Sequence, residues 1–480
     1  MFWCSKGGSL LAAFGVTDNS NCDGLQGVNS TGHKIFVGAL VLVVVGLILA
    51  AFRFSAWLQE DEPALDYSSM AIEKGRIDSE SNGFTQIREF SAAYDDELRD
   101  AVTAAYLVTR ADWDLSRMQA VIESHQDLLE AFEAAFQTDY FVYDQPISPD
   151  TLMPEISGMR SYAELRILEA RILEREGKPD DALRAFMQLE SDLEVFARSG
   201  GGLISVLTMG VITQNLNQAI EDLLAHASPS HDSLAVAARD YDIGDQLVEY
   251  AQTAYRFEFH FSCRCIEMAL ESPDEFLGGG AQEEGFIAEW NRRKAQASMR
   301  YFFKVNQTQN RFFQFYEEMI GELPKPASER GFPIAREMEE SHEDQSLMSL
   351  LSRNMVGRLL SAILLPAVQG VTEKMDLIEV GSQAARLSLG LRAYYAQYGE
   401  LPERLDELVP KYIATVPRDP FDGELMRFDR NRAILYSVGN DFMDDGGSEL
   451  PFAHEITEAD EPESAQNDRA EPTFPLRVAM

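Results

Sequence analysis

The run "ELRILEARILEREGKPDDALRAFMQLESDLEVFA", residues 164–197, decides the fold class. Apolar residues recur at spacings of three and four on both sides of a Gly-Lys-Pro-Asp break, which is the period of two amphipathic helices. Gly177 ends the first helix, and Pro179 with Asp180 opens the second. Ala182 and Phe186 then offer small-then-large packing against Ala170 and Leu173. The run predicts an antiparallel helical hairpin.

The same pattern extends outward over residues 89–347, with almost no strand-like alternation. Breaks fall where Pro, Gly, Ser and Asp cluster, as in "YDQPISPDTLMP", "ARSGGG", "HASPSHD" and "GELPKPASERGFP". The Gly177, Ala182 and Phe186 spacing resembles half of a tetratricopeptide unit, but no second copy follows at a 34-residue period. Plain helix packing and a peptide-binding groove both fit it. The Met and Phe stripes of "RYFFKVNQTQNRFFQFYEEMI" have the spacing of core residues.

At 480 residues and 53.8 kDa the chain is long enough for two or three domains. Its 79 acidic residues against 41 basic ones give a formal charge of -38, which argues against gripping a phosphate backbone. Residues 35–52, "IFVGALVLVVVGLILAAF", carry no charge and lie between Lys34 and Arg53, with Trp57 at an interfacial position. A cleaved signal peptide is disfavoured, because the preceding region is long and polar and no small-x-small site follows. The span therefore reads as a single transmembrane helix. Lys6 and Lys34 precede it while Glu60, Asp61 and Glu62 follow, so the positive-inside bias places the N-terminus in the cytoplasm and the rest in the periplasm of a bacterial inner membrane.

Four cysteines make no disulfide framework at this length. Cys4 and Cys22 read as free thiols. Cys263 and Cys265 stand near His260 in "FHFSCRC", which offers three zinc-ligand types where a structural site wants four. Buried small sulfur residues on a helix are the competing reading. His342 in "EMEESHEDQ" and His125 in "ESHQD" read as solvated helix positions, and "NGFTQIREF" lacks the apolar helix that a prepilin cleavage site requires.

The C-terminal part differs. From residue 348 a long apolar helix, kinked at Pro366, runs to a left-handed cap at Gly399. "ELPERLDELVPKYI" follows as a short helix, then the turn "VPRDPFDG" and two alternating runs, "ELMRF" and "AILYSV", that predict a β-hairpin. The hairpin leads into "YSVGNDFMDDGG", which crowds carboxylates among glycines in a chain already strongly acidic. After it, residues 448–480 read as a disordered acidic tail.

The pieces "LRAYYAQYGELPERLDELVP", "VPRDPFDG" and "LYSVGNDFMDDGG" resemble, in order and spacing, the C-terminal domain of the major pseudopilins of type II secretion systems. The resemblance covers only about residues 348–447, and the apolar span lies some 300 residues upstream of its place in that family. It implies a calcium site at Ser437, Asn440, Asp441, Asp444 and Asp445; oxygen-rich, glycine-bounded loops suit that ion. A solvated acidic turn is the alternative. The expected fold is mainly α: an N-terminal segment (1–34), a transmembrane helix (35–52), a linker (53–88), a helical-hairpin body (89–347), a small pseudopilin-like α+β head with a β-hairpin (348–447) and a tail (448–480). The expected function is a membrane-anchored, non-enzymatic scaffold with protein partners and links to secretion or pilus-like machinery. A tethered hydrolase using His260, Cys263 and Cys265 is the rival.

Overall fold

A computed structural model describes residues 30–72, 81–273, 286–337, 353–447 and 472–476. Cys4, Cys22, His342 and residues 448–471 of the expected tail lie outside the described residues. The chain divides into two units, residues 1–60 and 61–480. The first contains α1 (Ser30–Gln59), a helix long and apolar enough to cross a membrane. It continues past the expected span through Arg53, and Phe54 stacks on Trp57 at 5.7 Å.

The second unit is mainly helical, with one small antiparallel sheet. Its centre is the expected hairpin of α6 (Pro154–Arg175) and α7 (Pro179–Arg198). Gly177 adopts φ +77°, and the chain reverses through Gly177 N–H to Glu174 O (2.9 Å) and Lys178 N–H to Leu173 O (2.9 Å). These two bonds satisfy carbonyls that the end of α6 would otherwise leave bare. Ala170, Ala182 and Phe186 are buried in the same core, with Leu173 packed against it.

Around the hairpin stand α2 (Gly83–Ala93), α3 (Asp96–Tyr106), α4 (Leu115–Ser124) and α5 (Gln126–Phe136) on one side. Further along come α8 (Leu203–His226), α9 (His231–Asp240), α10 (Ile243–Glu271), α11 (Phe286–Phe302) and α12 (Val305–Glu322). Gly83 and Phe84, the prepilin-like pair, open α2 under an Asn82 cap, and Phe84 is core. His125 is not a solvated mid-helix residue: it is buried at the α4–α5 junction, with ring nitrogens 2.6 Å from Val121 O and 3.1 Å from Leu98 O.

The expected linker is docked where it is described. Asp61 accepts from the N–H groups of Asn306 (2.9 Å) and Gln307 (3.1 Å), in the first turn of α12. Lys304, the residue flanking that helix, supplies no side-chain cap, so Asp61 does so from 245 residues away. Asn310 holds the same strap through Leu65 N–H (2.9 Å), Tyr67 Oη (2.7 Å) and Pro63 O (3.0 Å), and Met70 is buried.

The long C-terminal helix is two helices, α13 (Met355–Leu364) and α14 (Pro366–Tyr398), because Pro366 opens a new helix instead of kinking one. Gly399 closes α14 at φ +76°. On α14, Val371, Ile378, Val380, Leu387, Leu389 and Leu391 are all buried, which leaves no polar face. Such a helix needs neighbours on several sides. It finds them in α8, α9 and α10, so the C-terminal elements share one core with helices expected in the body. "ELPERLDELVPKYI" contributes only a 3-10 turn at Leu405–Leu408.

The expected hairpin is β1 (Arg427–Asp429) and β2 (Ile434–Tyr436), with Phe428 opposite Leu435. A third strand, β3 (Thr473–Pro475), pairs with β2 and comes from the region expected to be a disordered tail. Phe474 sits opposite Leu435 and is buried, and Ser437 N–H donates to Pro472 O (3.0 Å). Without β3, β2 would be an open edge with unpaired backbone groups.

Close approach between α8 and α14 depends on Gly210, where a Cβ would lie 2.2 Å from Ile378 Cδ1. Gly210→Val is expected to destabilise the protein by about 1–3 kcal/mol through overpacking. Ile378→Ala in the same chain should recover part of that loss in a denaturant melt; additive losses would show that the two residues are not in contact.

Candidate functional site

The acidic turn is built around an arginine. Arg427, on β1, reaches Asp419 Oδ2 through Nη1 (2.9 Å) and Asp444 Oδ2 through Nε (3.2 Å), and its Nη2 pairs with Asp422. Asp419 is fully buried and accepts from Phe421 N–H (3.0 Å), Ser437 Oγ (2.9 Å) and Val438 N–H (2.9 Å). Burial raises its carboxyl above the usual range, against the pull of those donors. The guanidinium thus supplies positive charge to three carboxylates, of which Asp444 alone belongs to the crowded stretch and Asp419 and Asp422 to the turn before the hairpin.

The five expected calcium ligands are not gathered about one centre. Ser437 is fully buried, and its Oγ donates to Asp419 Oδ1. Asp441 Oδ1 accepts from Met443 N–H (3.0 Å), and Asp444 pairs with Arg427 while accepting from Gly446 N–H (3.0 Å). Asp445 is exposed. Asn440, with Phe442 at φ +58°, lines a separate cavity of about 480 Å³ beside the buried Arg330–Asp376 ion pair (2.6 Å). Burial pushes Asp376 up to about 6 in spite of that pairing. Arg427 and Asp419 escaped the sequence reading because their partners come from separate turns. The available signal was a lone arginine on a strand between two acidic turns.

The Cys/His cluster does not form either. His260 Nε2 lies 2.8 Å from Met70 O, and the two thiols are half-buried on α10. Burial pushes Cys263 up to about 12 and Cys265 up to about 11. A raised thiol is poor in thiolate, the opposite of what a ligand or nucleophile needs. Among the described residues, the one group of three acidic side chains whose ligand atoms converge is Glu190, Glu194 and Asp242. There Glu190 Oε1 already accepts from Asp242 N–H (3.1 Å) and Ile243 N–H (3.0 Å), capping α10, while Gln246 and Arg198 hold Glu194.

A cavity of about 510 Å³ opens between the α3–α4 connection, α6, α8, α14 and β3. Arg110 spans its wall between Glu174 and Asp222 (2.9 Å). Arg171 lies 5.2 Å from the Tyr106 ring and Arg175 lies 5.6 Å from the Trp113 ring, as cation–π pairs. None of these residues was singled out from the sequence, because they converge from three distant segments. Compared with known proteins, the chain matches no family model, and no curated protein or solved structure matches it.

Two tests follow from this geometry. Arg427→Met leaves Asp419 charged and buried without its guanidinium and is expected to lower stability by about 3–5 kcal/mol. With Arg427 in place, the full chain should melt at the same temperature in millimolar calcium and in chelator; a rise with calcium alone would show that the turn takes the ion. Separately, Glu155 is buried with neither carboxylate oxygen hydrogen-bonded, and burial raises it from 4.5 to about 7. Between those values the folded state binds more protons than the unfolded chain, so stability falls as pH rises through that window. Glu155→Gln should flatten this fall, by on the order of 3 kcal/mol at pH 8. An unchanged pH profile would remove Glu155 from the account.

Proposed function

We propose that this chain is a single-pass, membrane-anchored scaffold or interaction protein, with its N-terminus in the cytoplasm and its helical body in the bacterial periplasm. The observation that carries the reading is α1. From Leu42 to Phe52 its large apolar side chains are exposed, among them Leu42, Leu47, Leu49 and Phe52. Each such side chain favours insertion by about 0.3–0.6 kcal/mol at the helix centre. Arg53 and Trp57 follow at the end of the helix, where one side chain snorkels and the other suits the interface. The body supports a binding role through its antiparallel helical hairpins and its arginine-lined cavity.

The pseudopilin-like reading of the C-terminal elements rests on their order: a long helix, a 3-10 turn, a hairpin and an arginine-centred acidic turn. It suggests a partner in secretion or pilus-like machinery, met through the exposed Phe442 and Met443. The hydrolase reading gains no support from Cys263 and Cys265, whose thiols are raised.

Leu47→Asp with Leu49→Asp adds about 3 kcal/mol per charge to insertion. The variant is expected to move from the carbonate-resistant membrane fraction to the soluble one, and protease added outside spheroplasts should digest the wild-type body. Retention of the double variant in the membrane, or a protected body, would overturn the anchor or the orientation respectively.

A further inference from the structure

We infer that the 510 Å³ cavity between α6, α8 and α14 is a binding site for a small organic anion, whose carboxylate or phosphate is taken by Arg392 and whose body lies against Trp113 and Phe474. Arg392 sits on α14 with 9% of its surface exposed. It donates to Leu224 O, and among the described residues no carboxylate pairs with it. Among the described residues that carbonyl is its one hydrogen-bond partner, and the side chain lines the cavity. A guanidinium withdrawn from water to this degree is costly unless an anion or water meets it. Burial accordingly lowers its pKa from the ordinary arginine value.

The surroundings sharpen the point. Carboxylates outnumber cations almost two to one in this chain, 79 to 41, yet among the described residues only Arg110 of the four arginines on the cavity forms an ion pair. Arg171 and Arg175 donate instead to the carbonyls of Tyr106 (3.3 Å) and Arg110 (3.0 Å) and lie over aromatic rings. Arg110 already holds Glu174 and Asp222, so these two carboxylates do not serve Arg392. With four arginines against Glu174, Glu221 and Asp222, the lining keeps a net positive charge in an acidic protein, and such a hollow concentrates small anions.

Its size falls in the range of small-molecule sites, roughly 300–1,000 Å³. The lining explains why the anion is organic. Phe474, carried in on β3, and Trp113, whose indole N–H is buried without an acceptor, give an apolar wall with a spare donor. An inorganic ion would leave that wall unused.

The test is isothermal titration of the full chain in detergent with benzoate, phenyl phosphate, inorganic phosphate and neutral benzamide. Benzoate or phenyl phosphate is expected to bind at one site, at least tenfold more tightly than inorganic phosphate or benzamide. Arg392→Gln should weaken that binding tenfold or more, and Arg392→Lys should restore part of it. Should Arg392→Gln fail to fold, as judged by its melt, Arg171→Gln is expected to weaken binding at least threefold.

Binding of every aromatic anion weaker than ~10 mM would overturn the proposal, leaving water to meet Arg392. So would affinity unchanged by the folded arginine variants. Equal affinity for phenyl phosphate and inorganic phosphate would overturn the organic body. The preference between benzoate and phenyl phosphate identifies the head group.

Discussion

The constraint on which the second unit depends is the burial of α14. Its apolar residues are spread around the whole helix, so it must be enclosed on several sides. Enclosure brings α8 so near that Gly210 leaves room for Ile378 only by lacking a side chain. It also drags polar groups inward. Asp376 is met by Arg330 in a paired, two-bond contact of 2.6 and 2.9 Å, and Arg392 is left facing a cavity. One helix therefore accounts both for the continuity of the core and for the most unusual electrostatic feature in it.

A formal charge of -38 suggests a surface of mutually repelling carboxylates, but many of them have internal work. Asp419, Asp422 and Asp444 share Arg427. Asp61 and Glu190 cap helices to which they do not belong, supplying negative charge where backbone N–H groups are bare. Glu155 and Glu190 are buried with carboxyls raised to about 7, so part of the formal charge is absent in mildly acidic conditions. Arg110, Arg166 and Arg427 each bridge carboxylates, whereas Arg171, Arg175 and Arg392 on the α6–α8–α14 cavity pair with none among the described residues.

The acidic turn shows how far local composition carries an argument. Oxygen ligands and glycines suit calcium, and the same composition suits a turn closed by an arginine. Composition cannot separate the two, because the deciding residue, Arg427, stands on a neighbouring strand and Asp419 comes from an earlier turn. The cysteine pair follows the same logic. Its spacing permits a metal site, but His260 is turned towards Met70 and both thiols stay half-buried on the helix.

By itself the sequence determined what local periodicity can encode: a mainly helical chain, the Gly177 hairpin, the Gly399 cap, the β1–β2 hairpin and an apolar helix able to span a bilayer. These depend on neighbours within a turn or two, and their signals lie in adjacent letters. Tertiary structure alone decided the rest. It paired Thr473–Pro475 with β2, docked the segment around Asp61 on α12, and merged the C-terminal elements into the core of the body. It also gathered Arg110, Arg171, Arg175 and Arg392 around one cavity. Each of these depends on residues tens to hundreds of positions apart satisfying the same backbone edge, helix end or buried face, and no periodic pattern records such a meeting.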